Sequence, residues 1–479
     1  MRRSMLMTFP LSSFLIIGFT ASELYLPLVF TTLEGKSMIF NLELPEQIFL
    51  HSILQLVVLA AAHSIYRFLW KVSFTRDYSV LEYAGFFKAP TILQLWLMGG
   101  IGMLAQWYVY FNNPDIGREI TGSPVDKLIQ ALIPFSYAPF FIPFGKLYGS
   151  EEGHSRKIYP MLLAYTALLF ALSIGRNSRG AFMFGFTALG YAYIMGLLMG
   201  IFKTRLFTLR NGIIAGVLFW LLTGPMADLG TAMVIVRGER EEISATELIM
   251  LTIDAYGDKD AIRAQRLEES IDAANEWDEP YLDNLFTARF VNIRFADMTM
   301  IQYEKIGQFD PDMLERSIDY IWCDLPDPVT KALGIDVDKE EIYSMSLGDF
   351  MYLLAGGRGY PQGFRVGHQA GTGLATFGWW YLAILGGLMI PVYFLFDKFY
   401  KKNRSPKKDS PFQVQFSLCG LLAITSIWHF LPKESVVNLA TFLMRGWIQL
   451  ALLYIVLFYF TRILLRLFGR RRRRLSLPV

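Results

Sequence analysis

The chain has 479 residues, of which 53% are hydrophobic and 15% aromatic, and its mean hydropathy is +0.35. This composition is too apolar for a soluble protein of that length, and several runs exceed about 18 residues with few charges. Long continuous apolar runs are not the short alternating pattern of a β-barrel. We therefore predict an all-α polytopic membrane protein.

The charges are unevenly distributed, although the net charge is only +3. Residues 238–372 include 27 acidic and 12 basic side chains, a net charge of about −15. The rest of the chain is strongly basic. The sequence thus predicts four parts: a transmembrane bundle at 1–237, an acidic helical domain at 238–372, a second transmembrane part at 373–468 and a basic tail at 469–479.

Ten apolar stretches, each near the roughly 20 residues that cross a bilayer, predict about ten transmembrane helices. We place them near residues 9–30, 48–70, 90–111, 126–145, 157–174, 180–202, 211–236, 374–396, 412–431 and 439–465. The first stretch is long for a cleaved signal sequence, so we expect it to be an uncleaved span. It contains an acid, Glu23, and carboxylates inside a span are functional candidates.

Lysine and arginine cluster in alternate loops, which sets the expected orientation. The basic loops are 67–88, 146–157, 203–210 and 398–408, and both chain ends are basic as well. Ten spans would put all of these on one side, so we predict that both termini are cytoplasmic. The loops 31–47, 112–125 and 432–438 and the acidic segment 238–372 would then lie on the outer face.

The hairpin between the fifth and sixth spans has the sequence Gly-Arg-Asn-Ser-Arg-Gly, with Arg176 and Arg179. Guanidinium groups near hydrocarbon are costly unless they reach water, headgroups or a partner. These two arginines face outward in the predicted topology, against the positive-inside trend. They could contact lipid headgroups or outer acids, or bind phosphate or diphosphate at the N-terminus of the sixth span.

The seventh span has an acid, Asp228, near its outer part, where it could serve as a base or be solvated or ion-paired. In the outer segment we predict helices over Ala245–Glu276 and Tyr281–Ile306, with Asp297 three residues after Arg294 and able to pair with it. A shorter helix starts at Asp310-Pro311 and runs through Trp322. Other acids considered as a base are Asp283 and Asp349, the latter in a capping pattern that begins at Ser346.

A glycine-rich stretch, 356–373, closes the acidic segment, yet it has no acid of its own and carries Arg358, Arg365 and His368. It could be a linker whose basic residues touch lipid phosphate. Glycines also let a loop fold back, so it could instead return to the bundle and complete a diphosphate site with Arg176 and Arg179. His368 could orient or protonate a leaving group, or be merely structural.

Several signatures are missing. The chain has no Walker loop, HExxH or CxxC pair and no dinucleotide fingerprint, so no cofactor or metal is indicated. Cys323 and Cys419 lie in dissimilar segments and are not expected to form a disulfide. The terminal run Arg470–Arg474 is interpreted as a topology anchor on anionic lipid, not as a nucleic-acid site.

The Asn-Ser-Arg-Gly hairpin at 177–180, the single large outer loop and the stretch from His368 through Gly373-Leu-Ala-Thr-Phe-Gly378-Trp-Trp-Tyr resemble the O-antigen polymerase and ligase superfamily, particularly its oligosaccharide repeat-unit polymerases. The resemblance implies a GT-C-like glycosyltransferase architecture and polymerisation of undecaprenyl-diphosphate-linked oligosaccharides on the outer face of the bacterial inner membrane, without cofactors. It also implies membrane lipid and a chain-length regulator protein as partners. By motif, Arg179 matches the hairpin arginine and Arg358 or Arg365 the loop arginine.

Two features depart from that family. Its members often have a glutamate shortly before the Phe-Gly step, where this chain has Thr372 or Thr376, and the outer loop here is long and acidic. Trp379, Trp380 and Tyr381 could stack sugars or form an interfacial aromatic belt. We expect a polymerase with His368 and Asp228 as catalytic candidates and Arg176, Arg179, Arg358 and Arg365 as diphosphate ligands. The alternatives are a ligase of the same superfamily, a transporter or flippase for lipid-linked sugars, and a non-enzymatic scaffold.

Overall fold

The computed structural model describes residues 3–73, 80–112, 124–152, 155–175, 179–202, 208–236, 243–271, 281–284, 287–325, 327–358, 365–403, 413–423 and 434–475. The protein is an all-α membrane protein. Within those ranges six helices are long and apolar enough to cross a membrane. They are Pro10–Leu33, Pro45–Trp70, Ile92–Tyr110, Lys127–Leu147, Trp380–Asp397 and Val437–Leu467.

The N-terminal part is a series of apolar helices, several of them interrupted. Its α-helices are α1 Arg3–Thr8, α2 Pro10–Thr20, α3 Leu26–Leu33, α4 Pro45–Ser73, α5 Val80–Ala84, α6 Ile92–Asn112, α7 Pro124–Gln130, α8 Ile158–Gly175, α9 Arg179–Leu198, α10 Leu209–Thr223 and α11 Pro225–Ile235. A π-helical turn, Ala21–Tyr25, joins α2 to α3, and a 3₁₀ helix spans Ile133–Leu147. Pro139 and Pro143 lie inside that 3₁₀ helix, where they remove the amide donors an α-helix would need.

The acidic segment folds as short capped helices and not as the two long helices that we predicted. They are α12 Ala245–Gly257, α13 Lys259–Ile271, a 3₁₀ turn Thr287–Phe290, α14 Ile293–Ile306, α15 Pro311–Cys323, α16 Asp327–Ala332, α17 Lys339–Tyr343 and α18 Leu347–Leu354. The first predicted helix breaks at Asp258, whose carboxylate accepts the amides of Asp260 and Ala261. The second is irregular at its start because the Glu34 carboxylate accepts the amides of Asp283 and Asn284.

The C-terminal part contains α19 Gln369–Phe377, α20 Trp380–Asp397, α21 Leu418–Ala423, α22 Val437–Thr441, a π turn Phe442–Gly446 and α23 Trp447–Leu475. A two-stranded antiparallel hairpin, β1 Tyr400–Asn403 and β2 Gln413–Phe416, follows α20, with Tyr400 opposite Phe416. Gly378 separates α19 from α20 at φ +53, and a Cβ there would lie 2.6 Å from the Phe309 ring. The predicted span 374–396 is therefore two helices joined at a glycine.

Six of the ten predicted spans correspond to the six candidate spans. Of the other four, 211–236 and 412–431 are not single helices where the structure describes them. The stretch 211–236 is two helices, because Pro225 cannot donate to a preceding carbonyl and the helix ends at Thr223. The stretch predicted as 412–431 begins as strand β2. The stretches 157–174 and 180–202 are each a single apolar helix, α8 of 18 residues and α9 of 20 residues. A total of ten spans and a GT-C-like fold stay predictions.

Loops predicted to share a side do meet in the structure. Lys401 donates to Glu82 at 2.8 Å. Gln415, which was predicted inside the ninth span, lies instead on β2, and its amide donates to the carbonyls of Phe87 and Tyr148. At the other end of the bundle, the loop after α3 binds the acidic segment, with Lys36 2.6 Å from Asp283. We call these the Asp397 end and the Glu23 end, after the buried acid that lies near each.

The anchor between loop and acidic segment is Asp297, which is fully buried in α14. Its carboxylate pairs with Arg294, as the three-residue spacing predicted, and accepts the amides of Glu43 at 3.0 Å and Leu44 at 2.9 Å. The Arg294 guanidinium also donates to the carbonyl of Asn41. This cluster explains how the acidic segment is held on the bundle, and it makes Asp297 a structural residue.

Asp297→Ala should destabilise the protein by about 3 kcal/mol, because it leaves the buried Arg294 without its carboxylate and two amides without an acceptor. Asp283→Ala is the matched control, because Asp283 also forms an ion pair, with Lys36, but its side chain is 80% exposed. Exposed ion pairs contribute less than about 1 kcal/mol. Unfolding of both variants in detergent would be compared. Equal destabilisation would show that Asp297 is not the anchor.

Candidate functional site

The π turn in the first span presents an acid to the interior of the bundle. Pro27 has no amide hydrogen and cannot bond to the carbonyl of Glu23, four residues earlier, so the α-helical ladder loses a bond there. Leu26 instead donates to Ala21, five residues back. Glu23 lies in the middle of this turn and its residue surface is only 2% exposed. π turns of this kind are often found at functional sites.

Two residues from other parts of the chain meet the Glu23 carboxylate. Asn292, which precedes α14, donates from Nδ2 to Oε1 at 3.2 Å. His368, which precedes α19, places Nε2 3.4 Å from Oε2. Among the described residues, Oε2 accepts no hydrogen bond. A carboxylate with an unused acceptor and a histidine beside it form an acid–base pair in a site that excludes most water.

His368 is held by the helix that it caps. Its Nδ1 accepts the amide hydrogen of Ala370 at 3.3 Å, in the position that serine or aspartate usually takes at a helix start. Since Nδ1 acts as an acceptor, the proton of the neutral ring lies on Nε2, the atom that faces Glu23. The ring therefore points a donor at the carboxylate in either protonation state.

A second histidine extends the site along α4. His51 Nδ1 lies 2.6 Å from the hydroxyl of Tyr381, and Gln55, one turn later, donates to the same hydroxyl at 3.4 Å. Gln369 donates to Gln55 at 2.7 Å. Because Gln369 adjoins His368, this network continues directly into the Glu23 pair. We call the whole set the Glu23 cluster: Glu23, His51, Gln55, Asn292, His368, Gln369 and Tyr381.

An exposed tryptophan borders the Glu23 cluster. Trp379 stacks on the His51 ring with centroids 5.0 Å apart, and it is 52% exposed. Trp380 is also exposed, whereas Tyr381 is fully buried. The Trp-Trp-Tyr sequence thus divides into two surface residues and one core residue. The cluster reaches the surface of the protein at Trp379.

Two glycines of the stretch 356–373, Gly371 and Gly373, are needed for close packing. A Cβ at Gly371 would lie 2.5 Å from the backbone of Thr299 in α14, and one at Gly373 would lie 2.9 Å from Tyr381. Thr372, which stands near the glutamate position of the resembled family, donates to the carbonyl of Glu434 at 2.5 Å. The stretch does return to the bundle, and its glycines allow α19 to lie directly against α14 and α20.

The two loop arginines have different surroundings. Arg365 pairs with the fully buried carboxylate of Asp349 at 3.0 Å and lies over the Tyr352 ring at 4.0 Å. Arg358 is exposed, and its carbonyl accepts the Tyr352 hydroxyl at 3.1 Å. Tyr352 therefore contacts both ends of the loop. Ser346 caps α18, the helix that carries Asp349 and Tyr352, as predicted.

The remaining predicted site residues lie elsewhere or outside the described part of the chain. Arg176 is outside the described residues, and Arg179 begins α9, with its side chain likewise outside the description. Asp228 in α11 pairs with Lys259 at 2.9 Å, so its carboxylate already has a cationic partner. Within the described residues no group of three histidine, cysteine or acidic side chains could hold a metal ion. Both cysteines are free and buried.

Sequence reasoning identified Glu23 and His368 separately but did not join them, and it missed His51, Gln55 and Asn292. One signal was present, since His51 and Gln55 are four residues apart in an apolar span and so lie on one face. No protein-family model, curated protein or solved structure matches the chain.

Tyr381→Phe should cost about 1–3 kcal/mol of stability, because it removes the hydroxyl that satisfies His51 and leaves buried polar atoms unpaired. Trp380→Phe, at the next position but exposed, should change stability by less than about 0.5 kcal/mol. Thermal unfolding in the same detergent compares the two. A neutral Tyr381→Phe would mean that the hydrogen bond to His51 does not contribute to the cluster.

Proposed function

We propose that the chain is a membrane glycosyltransferase that polymerises undecaprenyl-diphosphate-linked oligosaccharide units into a surface polysaccharide on the outer face of the bacterial inner membrane. The observation that carries this proposal is the buried pair of Glu23 and His368 at the end of the bundle covered by the acidic segment. The topology expected from the basic loops, with both termini cytoplasmic, puts that end on the outer face.

Glu23 is the better candidate for the base. Among the residues that the structure describes, no donor bonds to its Oε2, whereas the Nδ1 lone pair of His368 is engaged by the Ala370 amide. In the proposed step an acceptor hydroxyl attacks the anomeric carbon of the donor sugar, the bond from that carbon to the diphosphate oxygen breaks, and the hydroxyl proton passes to Glu23. His368 orients the carboxylate and stabilises its charge before transfer.

The leaving group is a diphosphate, so cationic donors must hold it as negative charge grows on its oxygen. Arg365 is a candidate because Asp349 and Tyr352 fix the plane of its guanidinium. A fixed planar fork suits bidentate contact with phosphate. Arg358 is exposed and available for headgroup or diphosphate oxygens. Arg176 and Arg179 complete the proposed set by motif.

The access route sets a condition on this mechanism. Glu23 is covered by Asn292 and His368 from the acidic segment. An acceptor hydroxyl must therefore displace His368 from Oε2, while Asn292 can stay on Oε1. Trp379, stacked on His51 and exposed, is the natural point of approach for a sugar, since pyranose faces stack on aromatic rings by the same burial of apolar surface.

The test is an in vitro assay with purified protein in lipid and undecaprenyl-diphosphate oligosaccharide as the sole substrate. Wild type should give a ladder of longer products and release undecaprenyl diphosphate. Glu23→Gln should lower the rate by about 10²–10⁴-fold, the usual contribution of a general base. His368→Asn should lower it as well, as should Arg179→Ala and Arg365→Ala, which remove diphosphate contacts.

Two matched variants show which acid matters. Asp228→Asn tests the other predicted base, and Asp283→Asn is an exposed acid of the same outer segment that should leave the rate unchanged. If Asp228→Asn abolishes the ladder and Glu23→Gln does not, the base is Asp228. If wild type forms no ladder unless a separate acceptor is added, the enzyme is a ligase. If Arg179→Ala and Arg365→Ala both retain full activity, the diphosphate site is wrong.

A transporter or flippase for lipid-linked sugar is the second candidate, and helix interruptions favour it. The first span bends through the π turn at Ala21–Tyr25, Gly378 divides α19 from α20, and a further π turn spans Phe442–Gly446. Discontinuous helices near a substrate site are typical of transporters. Such a protein would move the labelled lipid between leaflets of a vesicle and leave its oligosaccharide length unchanged.

A further inference from the structure

A second buried polar cluster lies at the Asp397 end of the bundle and takes no part in the proposed glycosyl transfer. It brings together α2, α4 and α20, the same three elements that supply Glu23, His51 and Tyr381 at or next to their opposite ends. Its members are Ser12, His63, Tyr66 and Asp397, each 5% exposed or less.

Asp397 is the centre of this second cluster. Its Oδ2 accepts the Ser12 hydroxyl at 2.5 Å and the Tyr66 hydroxyl at 3.1 Å, and its Oδ1 accepts the Ser12 amide at 3.1 Å. Ser12 is in the first turn of α2, where the free amides and the helix dipole favour an anion. These contacts would suffice to hold an ionised carboxylate as a fixed anchor for α2.

A fixed anchor does not explain the contact between His63 and Ser12. The His63 Nε2 lies 3.0 Å from the Ser12 hydroxyl oxygen, which also lies 2.5 Å from Asp397 Oδ2. Ser12 thus stands between an acid and a base, and its single hydrogen can point to only one of them. This order differs from a nucleophilic triad, in which the acid binds the histidine and the hydroxyl is open to substrate. Ser12 is fully buried.

We propose that His63, Ser12 and Asp397 form a proton-binding relay with two states. In the ionised state, His63 donates from Nε2 to the Ser12 oxygen, and Ser12 donates to Asp397 Oδ2. A proton arriving at His63 Nδ1 forms a new N–H bond there. The Nε2 proton then passes to the Ser12 oxygen, and the original Ser12 proton passes to Oδ2.

The protonated state of the relay holds one additional proton and keeps every contact of the ionised state. Asp397 is then a neutral acid donating to Ser12, and Ser12 donates to Nε2 of a histidine whose proton is now on Nδ1. Both states keep the distances described above, so the relay needs no rearrangement of the helices. A reversible proton is stored on a carboxyl group that helps to hold three helices together.

Other groups facing the cluster can influence this equilibrium. Arg67 is one turn from His63 on α4 and interacts with it electrostatically. Tyr400 on β1 interacts electrostatically with Asp397. Lys398, the residue after Asp397, holds its ammonium over the Trp70 and Phe394 rings. The rings that enclose His63 belong to Phe9, Tyr66 and Tyr393.

The first experiment is a pH titration of the full-length protein in lipid vesicles by infrared difference spectroscopy. A carbonyl band of a protonated carboxylic acid should appear on acidification within about pH 4–9, where perturbed acids titrate. Asp397→Asn should remove that band, while Glu23→Gln, which removes the buried acid at the opposite end of the bundle, should retain it. Ser12→Ala and His63→Gln should each move the midpoint by about one pH unit or more.

The second experiment needs no substitution, so it applies even where a variant fails to fold. The chain has five histidines, and ¹⁵N-histidine labelling with solid-state NMR distinguishes their tautomers. His63 should change from the Nε2–H to the Nδ1–H tautomer at the midpoint of the infrared band. The proposal is overturned if no titrating carboxyl band depends on Asp397, or if His63 keeps one tautomer over the whole range.

Discussion

Polar side chains buried in a membrane-spanning bundle must find partners inside the protein, because hydrocarbon offers none. In this chain that requirement falls on the first span, α4 and α20. Each carries polar residues at or near both ends, and they satisfy one another across the helices: Ser12, His63 and Asp397 at one end, and His51 with Tyr381 near Glu23 at the other. Burial of these groups fixes how the three helices pack, since a rotation of any of them would leave several polar atoms unpaired.

The same need for buried polar partners explains how the acidic segment is held on the membrane bundle. A segment with a charge of about −15 repels itself and would favour solvent. It is retained through a few buried contacts, chiefly the carboxylate of Asp297, which joins Arg294 and the loop amides of Glu43 and Leu44. Asn292 and His368 extend that docking into the membrane body by meeting Glu23. The candidate site is therefore completed by the docking of the segment and does not exist within the span alone.

Local patterns in the sequence predicted local structure well. The spacing of Arg294 and Asp297 predicted their ion pair, Asp310 caps α15, and Ser346 caps α18. Proline and glycine set the limits of this approach. Pro225 divides a stretch that looked like one span, and Pro27 causes a π turn that hydropathy cannot reveal. The buried polar pairs could not be predicted, because His51 and Tyr381 are 330 residues apart and a single sequence does not show which distant residues are in contact. The sequence marked the glycine-rich stretch before α20 as unusual, and helix packing explains Gly371 and Gly373.

The contact between Ser12 and Asp397 also bears on the biogenesis of the protein. The two residues are separated by 385 positions, which at ordinary translation rates of about 5–20 residues per second is a delay of roughly 20–80 s. During that interval the first span is in the membrane with a serine hydroxyl and a histidine neighbour but without the carboxylate that joins them. A helix made early in synthesis is thus among the last to acquire its final neighbours.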